Sequence, residues 1–194
     1  IAMRKIIFTL LLSYTFIGFS QNTAIPDSNF EQALIDLGID TNSTIDGQVL
    51  TANIEGVTNL DVSSKNIADL TGIEGFIALT DLDCNSNQLT GLDLSKNIAL
   101  TNLDCGDNQL TSLDVSQNTA LTDLSCRFNV LTSLDVSNNI ALSTLTCDNN
   151  QLTSLNVINN TELIDLLCGA NQLTSLDVSN NIALTRLFCI SNKL

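Results

Sequence analysis

Residues 100–120 read LTNLDCGDNQLTSLDVSQNTA, and close copies of this stretch follow one another along most of the chain. The copies begin 21 residues apart, at Leu79, Leu100, Leu121, Leu142, Leu163 and Leu184. Six cysteines mark the same period, at Cys84, Cys105, Cys126, Cys147, Cys168 and Cys189. A fixed period of this length is the sequence signature of stacked coils that share one continuous core.

Each unit consists of two near-copies, LxxLxCxxNx and LxxLxVxxNxx, of ten and eleven residues. In Leu-Asp-Cys and Leu-Asp-Val the apolar residues stand two apart, so in extended chain both point inward and the residue between them points outward. We number positions 1 to 21 from the first leucine of each copy. The pattern predicts two short strands per coil, around a core of Leu, Cys and Val.

The pattern LxxLxCxxNxL resembles the leucine-rich-repeat signature in its nested bacterial form of 21 residues, known as the IRREKO type, over residues 57–194. Residues 57–79 resemble the slightly longer unit of internalin-like repeats. The resemblance implies a mostly β, right-handed leucine-rich-repeat solenoid with two short parallel strands per coil and a small N-terminal helical cap. It also implies a role in recognition, usually of protein, although fold alone does not fix function.

The segments outside the array have signals of their own. Arg4 and Lys5 precede an apolar run over residues 6–19, which is too short for the roughly 20 residues that span a bilayer. This predicts a signal peptide over residues 1–20, with a membrane anchor as the alternative. The protein would then be extracellular or at the cell surface, with the periplasm as a further location. Because the copy at Leu184 stops within a unit, we expect the array to continue beyond Leu194.

Residues 21–56 are predicted to form the cap. Ser28 and Glu31 have the spacing of a capping box, and Gly38 is placed to end the helix that follows. The apolar stripe of that helix would cover the open end of the first coil, through Phe30, Ala33, Leu34 and Leu37. Residues 42–53 faintly resemble a calcium loop, but its first and last places hold Asn rather than Asp and Glu. An Asp-Gly turn leading into a strand is therefore favoured.

The composition excludes several classes of function. The 194-residue chain contains no histidine, which removes serine–histidine and cysteine–histidine nucleophile pairs. Seven basic against 21 acidic residues give a net charge of −14, which disfavours nucleic acid and anionic membranes as partners. Carboxylates remain, but a column of equivalent carboxylates lacks the two different environments that acid–base catalysis needs. We predict no enzyme activity, no cofactor and no specific metal site.

Three columns of polar or reactive residues are open to a structural or a functional interpretation. Cysteine at position 6 occupies a slot that holds valine at position 16, which favours buried thiols over disulfides or zinc ligands. Asparagines at positions 9 and 19 are expected to satisfy the turn backbone and each other. Aspartates at position 15 are expected either to raise one another's pKa or to attract divalent cations loosely, at Asp93, Asp114, Asp135 and Asp177.

The outward residues of the first strand change along the array, and acidic side chains give way to apolar and basic ones. This predicts a mixed aromatic and guanidinium patch, a composition that is enriched at protein-binding surfaces. The candidate partner-binding residues are Arg127, Phe128, Leu167, Arg186, Phe188 and Ile190. The competing interpretation is that these residues pack against further chain. The favoured function is binding of a protein or peptide through this face, and the alternative is a structural or adhesive spacer.

Overall fold

The computed structural model describes residues 21–194, and the predicted signal peptide lies outside them. The array forms a seven-stranded parallel sheet in which each coil contributes one strand, in the order β3 to β9. These strands are β3 (Asn59–Asp61), β4 (Asp81–Asp83), β5 (Asn102–Asp104), β6 (Asp123–Ser125), β7 (Thr144–Thr146), β8 (Asp165–Leu167) and β9 (Arg186–Phe188). The register advances by one coil from strand to strand, so Leu82, Leu103 and Leu124 lie in one row. The stacked coils and their parallel strands confirm the predicted mostly β leucine-rich-repeat solenoid.

The core is built from the same positions in successive coils. In the coil that starts at Leu121, the apolar side chains at positions 1, 4, 6, 11, 14 and 16 are all buried: Leu121, Leu124, Cys126, Leu131, Leu134 and Val136. The buried core therefore continues from the first coil to Leu173, as the alternation of the sequence predicts, and the last positions, such as Leu176 and Leu184, are only partly buried.

Only the first of the two predicted strands per coil forms. In the first half, backbone groups bond to the neighbouring coil, for example from Cys105 N to the Ser125 carbonyl at 2.9 Å. In the second half, Asn118 N donates to Val115 O of its own coil, and Ser116 N donates to the side chain of Asp114. Because these N–H groups donate within the coil, residues such as 113–115 do not join a second sheet.

The cap contains more structure than its predicted helix. Strands β1 (Asn22–Ala24) and β2 (Gln48–Leu50) pair antiparallel, and the short helix α2 (Thr51–Ile54) follows β2. The favoured Asp-Gly turn is confirmed, because Gly47 adopts a φ of 82° immediately before β2. A 3-10 helix (Ile73–Gly75) connects the first coil to the second.

Helix α1 (Ser28–Asp36) forms as predicted, but its cap differs. The N-cap is Asp27, not Ser28, and its carboxylate accepts from Asn29 N and Phe30 N. Glu31 does not reach back to Ser28, because its buried carboxylate accepts the backbone N–H groups of residues 46–48. An anion that binds three such donors from one loop does more for stability than a reciprocal cap would.

The carboxy end of α1 and most of its apolar stripe agree with the sequence. Gly38 has a φ of 71° and donates to the Ile35 carbonyl, which ends the helix. Phe30, Ala33 and Leu34 are buried, and the Phe30 ring lies 6.3 Å from that of Phe76 in the first coils. Leu37, the fourth residue of the predicted stripe, is half exposed and does not contribute to the core.

Candidate functional site

The outward residues of β3 to β9, at positions 3 and 5 of each coil, form one continuous surface, which we call the strand face. The parallel register places position 5 of each coil beside position 5 of the next, as Asp83 beside Asp104. The position-5 row reads Asp61, Asp83, Asp104, Ser125, Thr146, Leu167 and Phe188. The position-3 row reads Asn59, Asp81, Asn102, Asp123, Thr144, Asp165 and Arg186. The face is thus acidic over β3 to β6, neutral at β7, and mixed apolar and charged over β8 and β9.

A groove of about 500 Å³ lies on the acidic part of the strand face. Five aspartates contribute to its lining, together with hydroxyl and amide side chains, and neither Lys nor Arg does so; the aspartates are Asp61, Asp81, Asp83, Asp104 and Asp123. Partial burial raises the pKa of Asp83, and the nearby carboxylates of Asp104 and Asp61 add to the effect. The groove therefore has a negative potential that its own residues leave uncompensated.

The predicted patch is only partly assembled. Leu167 and Phe188 are register partners on β8 and β9, and Arg186 precedes Phe188 on the same strand. Arg186 forms two contacts with Asp165, from Nε to Oδ1 at 3.0 Å and from Nη2 to Oδ2 at 3.1 Å. Ile190 is exposed just beyond β9. These four candidates form one group at the β8–β9 end of the face.

Arg127 and Phe128 lie apart from that group, just beyond the carboxyl end of β6, with the coil of β7 between them and β8. The Arg127 guanidinium carbon is 5.9 Å from the centroid of the Phe128 ring, and its Nη2 is 4.0 Å from Asp107. Phe128 is 47% exposed and has a φ of 49°, a left-handed conformation that is unusual for a bulky residue. The candidates therefore form two groups and not one patch.

Two of the candidate side chains, those of Arg127 and Phe188, pack on glycines that stand at position 7 of the preceding coil, Gly106 and Gly169. A Cβ on Gly169 would lie 2.7 Å from Cε1 of Phe188, so the Phe188 ring packs directly on the glycine backbone. A Cβ on Gly106 would lie 3.1 Å from Cγ of Arg127, which places the arginine stem over the preceding coil. The candidate side chains thus rest on the array and are not fully free in solvent.

The groove is not predicted by the sequence pattern alone. The run of aspartates at positions 3 and 5 of the first coils is the available signal, but in sequence it indicates only that this end of the array is more acidic than the other. Only the register of the strands places these carboxylates on one recessed surface with Ser125, Thr144 and Thr146.

The cysteine column lies inside the array. All six cysteines are free; five are fully buried and Cys189 is partly buried. Burial raises the pKa of Cys84, Cys105, Cys126 and Cys147 well above the ordinary value, and raises that of Cys168 to about 12. These neutral thiols confirm the interpretation of cysteine as a small apolar core residue.

The expectation that the position-15 aspartates raise one another's pKa is wrong. The pKa of Asp114 is lowered, because its carboxylate accepts hydrogen bonds from the backbone and side chain of Ser116. Asp93, Asp135 and Asp177 are lowered by the equivalent serines. Hydrogen bonds to the charged form outweigh the repulsion between exposed carboxylates.

The segment that faintly resembles a calcium loop, residues 42–53, is held together by hydrogen bonds among its own residues and to residues 39 and 41. Asn42 Nδ2 donates to Asp46, and the Asn53 amide nitrogen, at the twelfth place, faces Ile39 O at 3.0 Å. A donor thus stands where the motif needs a bidentate carboxylate. Within residues 21–194, no group of three or more Cys, Asp or Glu side chains is arranged to hold a metal ion.

Strand order, register and a coil of 21 residues together define a leucine-rich-repeat solenoid. Comparison with known proteins supports this class. The chain is 42% identical over 79 residues to internalin J of Listeria monocytogenes, a match that covers 40% of this chain and 8% of that protein. No family profile matches the sequence.

Solved structures give the same result over more of the chain. The functional domain of internalin J, described as including a cysteine ladder, superposes with a TM-score of 0.60 at 33% identity, over 89% of this chain and 48% of that domain. A leucine-rich-repeat protein of Leptospira interrogans gives 0.64 at 23% identity, over 72% of this chain and 38% of that one. Internalin C2 of L. monocytogenes gives 0.60 at 20% identity, over 88% and 89%. The last two matches concern the fold alone.

Proposed function

We propose that this chain is an exported, non-catalytic recognition module that binds a protein or peptide ligand through its strand face. The observation that carries the proposal is the contrast between the two sides of the array. The strand face is recessed and changes from acidic to apolar along its length, whereas position 15 on the other side repeats nearly the same residue in every coil. A surface that varies from coil to coil while the core stays constant is the arrangement that solenoids use for binding.

The likeness to internalins supports a role in recognition. The chain spans less than half of the internalin J domain that it resembles. A spine of stacked coils with a continuous core is rigid, and a preformed surface loses little entropy on binding. Rigidity therefore favours the strand face as a docking surface even though each coil contributes only two outward side chains.

We further propose that the predicted candidate residues contact the ligand in two places. Arg127 and Phe128 would flank the groove at the edge of the sheet, and Leu167, Arg186, Phe188 and Ile190 would form the far end of the contact surface. Phe188 is 45% exposed and Ile190 is 62% exposed, so both have apolar area to bury against a ligand. Buried aromatic and arginine side chains carry most of the energy at protein interfaces.

The decisive experiment compares two double variants in capture of ligand by the immobilised chain. Phe188→Ser with Arg186→Ser should abolish capture while leaving the melting temperature within about 2 °C of the parent. The matched control is Ile140→Ser with Ile158→Ser, because these exposed apolar residues lie off the strand face beside each other near Asn159. The control should bind as the parent does. Equal capture by all three proteins would favour the spacer interpretation.

Export of the protein is part of the proposal. No helix within residues 21–194 is long and apolar enough to cross a membrane. Expression of the chain in a bacterial host and mass measurement of the mature product should find Gln21 at the N-terminus. An uncleaved product that remains in the membrane fraction would instead support an anchor.

A further inference from the structure

We infer that the partner is an extended protein segment that crosses the strand face with basic side chains over β4 to β6 and apolar side chains over β8 and β9. This inference rests on the proposed function and adds the chemistry and the orientation of the ligand. The inference is based on the strand face, which is one continuous sheet surface that no other element of residues 21–194 covers and whose two ends differ in chemical character.

The acidic end of the face has an unsatisfied charge. The groove combines five aspartates with no basic residue, and the whole chain carries a net charge of −14. Carboxylates in a recess are screened by solvent less than those on a flat surface, and they attract cationic ligands before contact. Lys and Arg side chains of a partner are the groups that fit this part of the face.

The chain itself contains an example of this recognition. Arg186 extends across the face from β9 and forms a two-point contact with Asp165 in the position-3 row of β8. Asp81 and Asp123 occupy the same row, and their neighbouring strands provide no basic side chain. Their carboxylates accept hydrogen bonds from neutral groups, namely the hydroxyls of Thr80 and Thr122 and the amide of Asn102. A guanidinium from a partner would add the positive charge that Arg186 supplies at Asp165.

The other end of the face offers apolar contact area. Leu167 and Phe188 are register partners in the position-5 row that holds Asp83 and Asp104 on β4 and β5. The Phe188 ring lies against Gly169, which fixes its orientation without covering its outer side. Apolar side chains of a partner would bury area here, whereas the acidic end offers them little.

The dimensions set the length of the ligand segment. From β4 to β9 there are five strand intervals, which at about 4.8 Å each span roughly 24 Å. An extended chain rises about 3.3 Å per residue, so a segment of about eight residues reaches across the face. The face therefore suits a short linear segment with its basic and apolar residues at opposite ends.

The test uses two fluorescein-labelled synthetic peptides, KRKSSLFL and EDESSLFL, and binding measured by fluorescence anisotropy. The basic peptide should bind saturably and at least tenfold more tightly than the acidic one at low salt. This preference should fall several-fold at about 0.3 M NaCl, because exposed charge pairs are screened. Equal binding of the two peptides, or no saturable binding of the basic peptide, would overturn the inference.

Two matched variants locate the binding. Asp83→Asn with Asp104→Asn removes two charges from the groove, and Asp114→Asn with Asp135→Asn removes two charges from the opposite side. All four carboxylates accept the backbone N–H two residues further on, a bond that an Asn oxygen preserves. The first variant should bind the basic peptide roughly tenfold more weakly at low salt, and the second less than twofold. Equal losses would contradict the inference.

The orientation has its own readout. A photo-crosslinker on the last leucine of KRKSSLFL should attach to residues 163–194, and attachment to residues 57–104 would overturn the orientation. The result is separable from that of the proposed function. A ligand that requires Phe188 and Arg186 but ignores Asp83, Asp104 and salt would leave the recognition role intact and refute only this inference.

Discussion

The two halves of each coil are near-copies in sequence, yet they use their backbone in opposite ways. In the first half, Asp107 N donates to Arg127 O of the next coil, and the strands form one sheet. In the second half, Asn118 N donates to Val115 O, and Leu121 N at the start of the next coil donates to Asn118 O, so both bonds lie within one local turn. The pattern LxxLx(C/V) therefore specifies which side chains are buried but not which backbone groups pair between coils.

The two asparagine columns differ in the same way. Asn129, at position 9, donates to three carbonyls and accepts from Leu110 N of the preceding coil at 2.9 Å. Asn139, at position 19, donates to Val115 O and Asn118 O, but its buried side-chain oxygen has no partner. Position 9 thus links coils through both ends of its amide, and position 19 through one end only. The expectation that both columns satisfy the turn backbone holds for donor and acceptor at position 9, and for the donors alone at position 19.

The largest expected effect on stability comes from the buried thiols, which occupy the first half of each coil at the position where the second half has valine. The ordinary pKa of a cysteine thiol is 9.0, and burial raises it well above that value in the folded array. Between about pH 9 and pH 12 the unfolded chain loses these protons while the folded chain keeps them, so stability must fall as pH rises. Each buried thiol should contribute about 1.4 kcal/mol per pH unit to this loss, measured by urea unfolding from pH 9 upward.

Exchange between the two halves sharpens this test. Cys126→Val removes one thiol from the first half and should lower the slope by one step of about 1.4 kcal/mol per pH unit. Val136→Cys places a thiol in the second half, where the parent residue is equally buried, and should add one step. Identical slopes in all three proteins would mean that the thiols are exposed or oxidised. Titration of unreduced, denatured parent protein should accordingly find six free thiols.

The next largest effect should separate the two asparagine columns. Asn129→Ala leaves the buried Leu110 N without its acceptor and removes one of the donors to each of three carbonyls. It should lower the free energy of unfolding by about 3 kcal/mol. Asn139→Ala removes two donors together with an oxygen that is already unpaired, and should cost about 1 kcal/mol. Urea unfolding of both variants provides the measurement. A larger loss at Asn139 would show that the turn within the coil, and not the link between coils, dominates.

The sequence was sufficient for the core, the period and the cysteine column, because these depend only on which residues are apolar and how far apart they stand. It was not sufficient for the missing second strand, the capping of α1 by Asp27, or the use of Glu31 by residues 46–48. Each of these depends on which acceptor a backbone N–H reaches first, and that choice requires three-dimensional positions. The groove was missed for the same reason, since its aspartates come from four coils and meet only through the strand register.

The smallest expected effect on stability concerns the turns of the two half-coils. Position 8 adopts a left-handed conformation in every coil from Ser86 to Ser191, whereas none of the second-half turns in residues 79–194 does so. Phe128 holds that conformation at a φ of 49°, and Asn149 holds it one coil later at 56°. Asparagine tolerates this region better than phenylalanine, so Phe128→Asn should raise the free energy of unfolding by about 0.5–1 kcal/mol. Asn138→Phe in the second-half turn is the matched control and should change stability little.

If Phe128→Asn is stabilising and also weakens binding of the basic peptide, Phe128 is kept for contact at the edge of the groove, since its conformation alone favours another residue. A destabilised Phe128→Asn variant would instead show that the contact between Phe128 and Arg127 supports the turn.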